Sequence, residues 1–123
     1  MKAINIAFTC YPVTSLKKSR EFYEKTLELK PTSVWVKDDT NGMVEYDIGP
    51  GTLAIGAGSD SFKVVDGGAS VAIEVEDFDA AIKYLKTKKA KFILESMDSG
   101  VCNMAIVADP DGNKLMIHKK KKA

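Results

Sequence analysis

Val13-Thr14-Ser15-Leu16-Lys17-Lys18-Ser19-Arg20-Glu21-Phe22-Tyr23 opens a helix directly after an extended stretch, and Val75-Glu76-Asp77-Phe78 does so again 62 residues on, from position 13 to position 75. Ser15 and Asp77 are residues whose side-chain oxygens cap the first free N–H groups of a helix. Behind them Leu16, Ser19, Phe22, Tyr23 and Leu27, then Phe78, Ala81, Ile82 and Leu85, recur at the spacing of one buried helical face. The same offset lays Phe22-Tyr23 onto Tyr84-Leu85 and Leu53-Ala54-Ile55 onto Leu115-Met116-Ile117. Two copies of one unit account for this pattern.

Outward from each helix start the order is the same. Residues 4–11, rich in β-branched and aromatic side chains, read as a strand that stops at Pro12. Pro31 closes the first helix, and residues 33–37, 43–48 and 52–55 read as three strands with turns at 38–42 and 49–51. A Gly- and Ser-rich stretch then leads to a strand at 69–75, the helix capped by Asp77, and strands at 91–95, 101–108 and 114–118. The expected fold class is α+β: two βαβββ modules, about 1–57 and 69–119 with a linker over 58–68, making a single domain. Its sheet is curved and mixed, with the helices outside. Each helix covers one face of its sheet, and the other faces are expected to close a cleft suited to a small ligand. Alternation puts Phe8 and Cys10, then Ser70, Ala72 and Glu74, on the cleft side, with Val71, Ile73 and Val75 under the helix.

Composition narrows the function. The 123 residues hold 45% apolar and 28% charged side chains, which is ordinary for a globular domain, and no apolar run is long enough to span a bilayer. Eighteen basic and 17 acidic residues give a net charge of +1, which offers no field for nucleic acid. The one basic cluster, residues 119–122, reads as a solvated tail. Residues 1–8 do not form a secretory signal, and Cys10 and Cys102 suit packed free thiols, so a cytoplasmic protein is expected.

With V-x-D-L represented by Val13-Thr14-Ser15-Leu16, the Phe22-Tyr23 pair, Leu27-Glu28-Leu29, Val75-Glu76-Asp77 and the closing Asp109-Pro110-Asp111-Gly112-Asn113 hairpin, the chain resembles the vicinal oxygen chelate superfamily. That superfamily includes glyoxalase I, bleomycin-resistance proteins, fosfomycin-resistance enzymes and extradiol dioxygenases. Glu28 departs from the glycine usual after the first helix; if that position is left-handed it costs about 1 kcal/mol. The resemblance implies the two-module fold, a homodimer, and, in metal-using members, a divalent ion held by four side chains. Those positions correspond here to Phe8, Ala54, Ser70 and Met116. Two are hydrocarbon, one is a soft thioether and one a neutral hydroxyl, so no metal site and no cofactor are expected.

The expected ligand-binding cleft therefore consists of Phe8, Cys10, Trp35, Ala54, Ser70, Glu74 and Met116, with no catalytic residue assigned. Trp35 is placed in the cleft against the competing roles of core filler or dimer contact. Glu74 is a candidate base or cation partner against the role of a rim carboxylate. The orientation of Glu45 and Tyr46 turns on the length of the 49–51 turn, and His118 reads as solvent-facing near a frayed end. Two functions follow. One is a binding protein for a small, aromatic or cationic molecule, without nucleic-acid or membrane partners. The other is a lyase, isomerase or dioxygenase with displaced metal ligands such as Glu45, Glu74 or His118. An interaction protein with a collapsed cleft is a third reading.

Overall fold

Pairing in the first module begins where β1 (Thr9–Pro12) finds a partner: it runs parallel to β4 (Gly51–Ala57), Thr9 opposite Leu53 and Cys10 opposite Ala54. In this computed structural model, residues 1–61, 63–68 and 70–121 are described. The strand expected over 4–11 is shorter and later than its composition suggested. Continued backwards, the register passes the first residue of β4 before it reaches Ile6, so Ile4 and Ile6 have no strand to pair with and stay exposed.

Helix α1 (Leu16–Arg20) starts at Ser15, whose Oγ accepts the Lys18 N–H at 3.2 Å. Asp39 strengthens this start from the turn at residues 39–40, accepting from the Lys17 N–H at 2.8 Å and from Ser15 Oγ. The helix then widens into a π-helical turn, Glu21–Thr26, with Leu27 N–H donating to the Phe22 carbonyl. It ends at Glu28, not at Pro31; Glu28 is left-handed, φ 60°.

Strands β2 (Ser33–Asp38) and β3 (Asn41–Ile48) complete a sheet of order β1-β4-β3-β2. Leu16 and Tyr23 bury against Tyr11, Val44, Tyr46, Leu53 and Ile55, and Tyr23 stacks on Tyr46 at 6.0 Å. Each such side chain removed from water contributes about 1.5–3 kcal/mol. Gly42 is needed where β3 crosses β2, because a Cβ there would lie 2.5 Å from the Trp35 carbonyl oxygen.

The second module repeats this plan. Strand β5 (Val71–Glu74) is followed by α2 (Phe78–Thr87), β6 (Lys91–Asp98), β7 (Cys102–Ala108) and β8 (Lys114–Lys120), in the sheet order β5-β8-β7-β6. Ala69, expected to begin β5, lies outside the described residues. Asp77 caps α2 through the Ala80 N–H at 3.0 Å, and Phe78 and Leu85 bury with Ala105, Val107, Leu115 and Ile117. The repeat holds pair by pair: Thr9–Leu53 corresponds to Val71–Leu115, and Cys10–Ala54 to Ala72–Met116, each residue 62 further on (71 − 9 = 62; 115 − 53 = 62).

The basic run is not the free tail its charge suggested. Lys119 and Lys120 belong to β8, and Lys121 donates its backbone N–H to Val101 and its Nζ to Asp98 at 2.7 Å; Lys122 lies outside the described residues. Backbone pairing with β7 outweighs the repulsion of adjacent lysines once Asp98 offsets one charge.

Candidate functional site

In each sheet one face is occupied by its own helix, so candidate chemistry belongs to the other face. In sheet one the register sets Cys10, Ala54, Glu45 and Ser33 in a row across β1, β4, β3 and β2. Beside it runs Pro12, Gly56, Met43 and Trp35. Phe8, one residue before β1, shares the alternation of Cys10 and is 47% exposed, while Trp35 is 60% exposed. Trp35 is thus not core filler. It is a diagonal neighbour of Glu45, at a separation of about 7–8 Å that an indole and a glutamate can bridge.

The short 49–51 turn decides the orientation left open by the sequence. Ile48 pairs with Gly51 around Gly49-Pro50, and counting back brings Glu45 opposite Ala54 on the face away from the helix. Tyr46 takes the helix side, where its hydroxyl donates to Glu24 Oε2 at 2.9 Å and Glu24 also pairs with Arg20 at 2.6 Å. Burial and then the Glu24 carboxylate push the Tyr46 phenol up, so it stays a donor. Cys10 is half-buried; desolvation, then the nearby Glu45 charge, push its thiol up to about 11. It is an inert thiol, not a nucleophile.

In sheet two, Ala72, Met116 and Ile106 form one row and Glu74, His118 and Met104 the next. Ser70 precedes β5 and is exposed. His118 is not a loose, solvent-facing imidazole: its side chain is only 26% exposed and its Nδ1 lies 2.5 Å from Glu74 Oε1. Glu74 Oε2 accepts the Lys120 N–H at 2.8 Å. That backbone bond first, and the His118 contact second, hold the Glu74 carboxyl below the usual carboxylate range. The β5–β8 register sets Glu74 opposite His118, and the extension of β8 past the expected end at 118 supplies the Lys120 N–H that fixes the carboxylate.

Phe8 and Ala54 therefore belong to module one, and Ser70 and Met116 to module two. The chemistry of these four does not fit a divalent ion, since only one hard donor, a neutral hydroxyl, is among them. Among the described residues, no three His, Cys, Asp or Glu side chains come together as a metal-binding group. A groove of about 660 Å³ along α1 and β2 is lined by Arg20, Glu24, Lys17 and Asp39, whose charges largely answer one another. No described helix is long and apolar enough to cross a membrane.

A duplicated βαβββ plan, each module a four-stranded mixed sheet with a helix on one face, defines the fold class. The chain belongs to the glyoxalase/bleomycin resistance protein/dioxygenase superfamily, whose family model matches residues 5–117. No curated protein sequence matches it. Among solved structures, an antibiotic-binding protein, TnmS3 from Streptomyces sp. CB03234, is 15% identical with a TM-score of 0.81, covering 98% of this chain and 99% of that one. A trypanothione-dependent glyoxalase I from Leishmania major is 27% identical, TM-score 0.71, over 95% and 87% of the two chains. A glyoxalase/bleomycin resistance protein/dioxygenase from Alicyclobacillus acidocaldarius is 20% identical, TM-score 0.71, over 99% and 96%.

Proposed function

We propose that this protein binds a planar, cationic small molecule on the face of sheet one away from its helix and does so without the divalent ion used by metal-dependent relatives. The observation that carries the reading is the exposed Trp35 beside Glu45, on a face that also holds Phe8, Cys10, Ser33, Met43 and Ala54. An indole supplies a broad apolar surface and attracts a cation over its ring, and a neighbouring carboxylate adds a charge partner. The likeness to an antibiotic-binding protein supports small-molecule binding as the general role. The exposed Val34 and Val36 on the edge strand β2 support a homodimer, and the free thiols a cytoplasmic setting.

Trp35 is the only tryptophan, so its fluorescence reports directly on this face. Titration with ethidium, a planar cation, is expected to quench it saturably, whereas an uncharged anthraquinone binds more weakly. Glu45→Gln should weaken ethidium binding by about tenfold, as expected for a charge-assisted contact worth over 1 kcal/mol. Equal affinity of the two proteins for the cation would refute the proposal.

The similarity to glyoxalase I favours a second reading, a metal-dependent lyase or isomerase with ligands displaced to Glu45, Glu74 or His118. Turnover of a hemithioacetal, abolished by EDTA and by His118→Ala, would establish it in place of the first.

A further inference from the structure

Glu74, His118, Met104 and Met97 stand opposite one another on β5, β8, β7 and β6, a row across sheet two in which a register shift in β6 falls just before Met97. Three of the five methionines gather around this row, since Met116 lies two residues before His118 on β8. Directly opposed residues of an antiparallel pair have Cα atoms about 4.5–5.5 Å apart, so the Met104 thioether lies within reach of both neighbours. Glu74 engages His118 through Nδ1, and Nε2 has no partner among the described residues. A carboxylate on one imidazole nitrogen, itself fixed by a second hydrogen bond, is the arrangement that orients a metal-ligating histidine.

Thioether sulfur is a poor ligand for a hard or borderline divalent ion and a good one for Cu(I). The corresponding row of module one, Pro12, Gly56, Met43 and Trp35, has one thioether and no imidazole, so the feature is particular to module two. The row is open to solution at Met97, which is 42% exposed, and partly so at His118.

We propose that His118 Nε2 and the sulfur atoms of Met104 and Met97 form a site for a soft monovalent cation, Cu(I), for which Ag(I) is a redox-stable surrogate. Glu74 is a positioning residue there, holding the imidazole with its proton on Nδ1 and its lone pair on Nε2. Its residues all belong to module two, and those of the ligand face on sheet one to module one.

The test is a titration of the protein, labelled with [13C-methyl]methionine, with silver nitrate in chloride-free buffer. Saturation at one equivalent, with the Met97 and Met104 methyl resonances displaced and those of Met1 and Met43 unmoved, is the expected result. In anaerobic competition for Cu(I) against bicinchoninate, Met104→Leu and His118→Ala should each lose at least about tenfold in affinity. Glu74→Gln should also lose about tenfold, within the range usual for a partner of a metal-bound histidine. Cys10→Ser and Cys102→Ser should bind as the parent does. Leucine is close to methionine in volume, which favours folding of the Met104 variant, and the methyl shifts of the parent protein decide the matter if it fails to fold. Methionine resonances that all stay put, or that all move alike, would overturn the proposal. So would Ag(I) capture that vanishes with either cysteine.

Discussion

Glu28 and Lys89 hold left-handed backbone, φ 60° and 57°, one after each helix, where a side chain is strained and glycine is not. Glu28→Gly is therefore expected to stabilise the protein by about 1 kcal/mol, read as an increase in urea midpoint with an unchanged slope. The departure from the family pattern was visible in the sequence, but its sign depended on the backbone angle. At Cys10, burial and Glu45 raise the thiol from the ordinary 9.0 to about 11. A group raised in the folded state favours folding below its unfolded pKa, and that contribution is lost as pH climbs through the folded value. Stability should thus decline between about pH 9 and pH 11 in the parent and less steeply in Cys10→Ser. Iodoacetamide labelling of the native parent at pH 8 should be slow, and faster in Glu45→Gln, whose thiol lacks the adjacent charge.

The closing hairpin shows how a turn motif becomes a structural joint. Asp109 is buried; its Oδ1 accepts the N–H groups of Asp111 and Asn113 at 2.9 and 2.8 Å, and its Oδ2 accepts Asn113 Nδ2 at 2.8 Å. Asp109→Ala strands those donors and is expected to cost about 2–3 kcal/mol, measured by chemical denaturation. A variant within 0.5 kcal/mol of the parent, as at a solvated turn, would count against this role. Both helix caps, the order of the strands and the repeat were legible because capping and alternation are local. What was not legible depended on partners. Ile4 and Ile6 have strong strand character yet no neighbouring strand, because β4 begins too late. The placement of Glu45 needed one further assumption, a two-residue turn at Gly49-Pro50. Gly49, at φ 57°, suits the first central position of a type II′ hairpin, whose second position proline's fixed φ can fill. The Glu74–His118 pair escaped notice because lysines in sequence suggest solvent, whereas Lys119 and Lys120 continue β8.

At the scale of the whole chain, duplication supplied one scaffold twice, and the sheet faces away from the helices diverged. Glu74 and His118 replace Pro12 and Gly56 of the first copy, and Met116 replaces Ala54, while Trp35 and Glu45 give sheet one its aromatic and acidic character. What the two faces share is the absence of the donor set a divalent ion requires at positions 8, 54, 70 and 116. The most direct check is ethidium binding to purified protein, followed by Trp35 fluorescence, before and after exhaustive dialysis against EDTA, with Zn, Ni, Mn and Fe determined on the same samples. The account predicts unchanged affinity and far less than one equivalent of any of these metals. A stoichiometric divalent ion whose removal abolishes binding would contradict it.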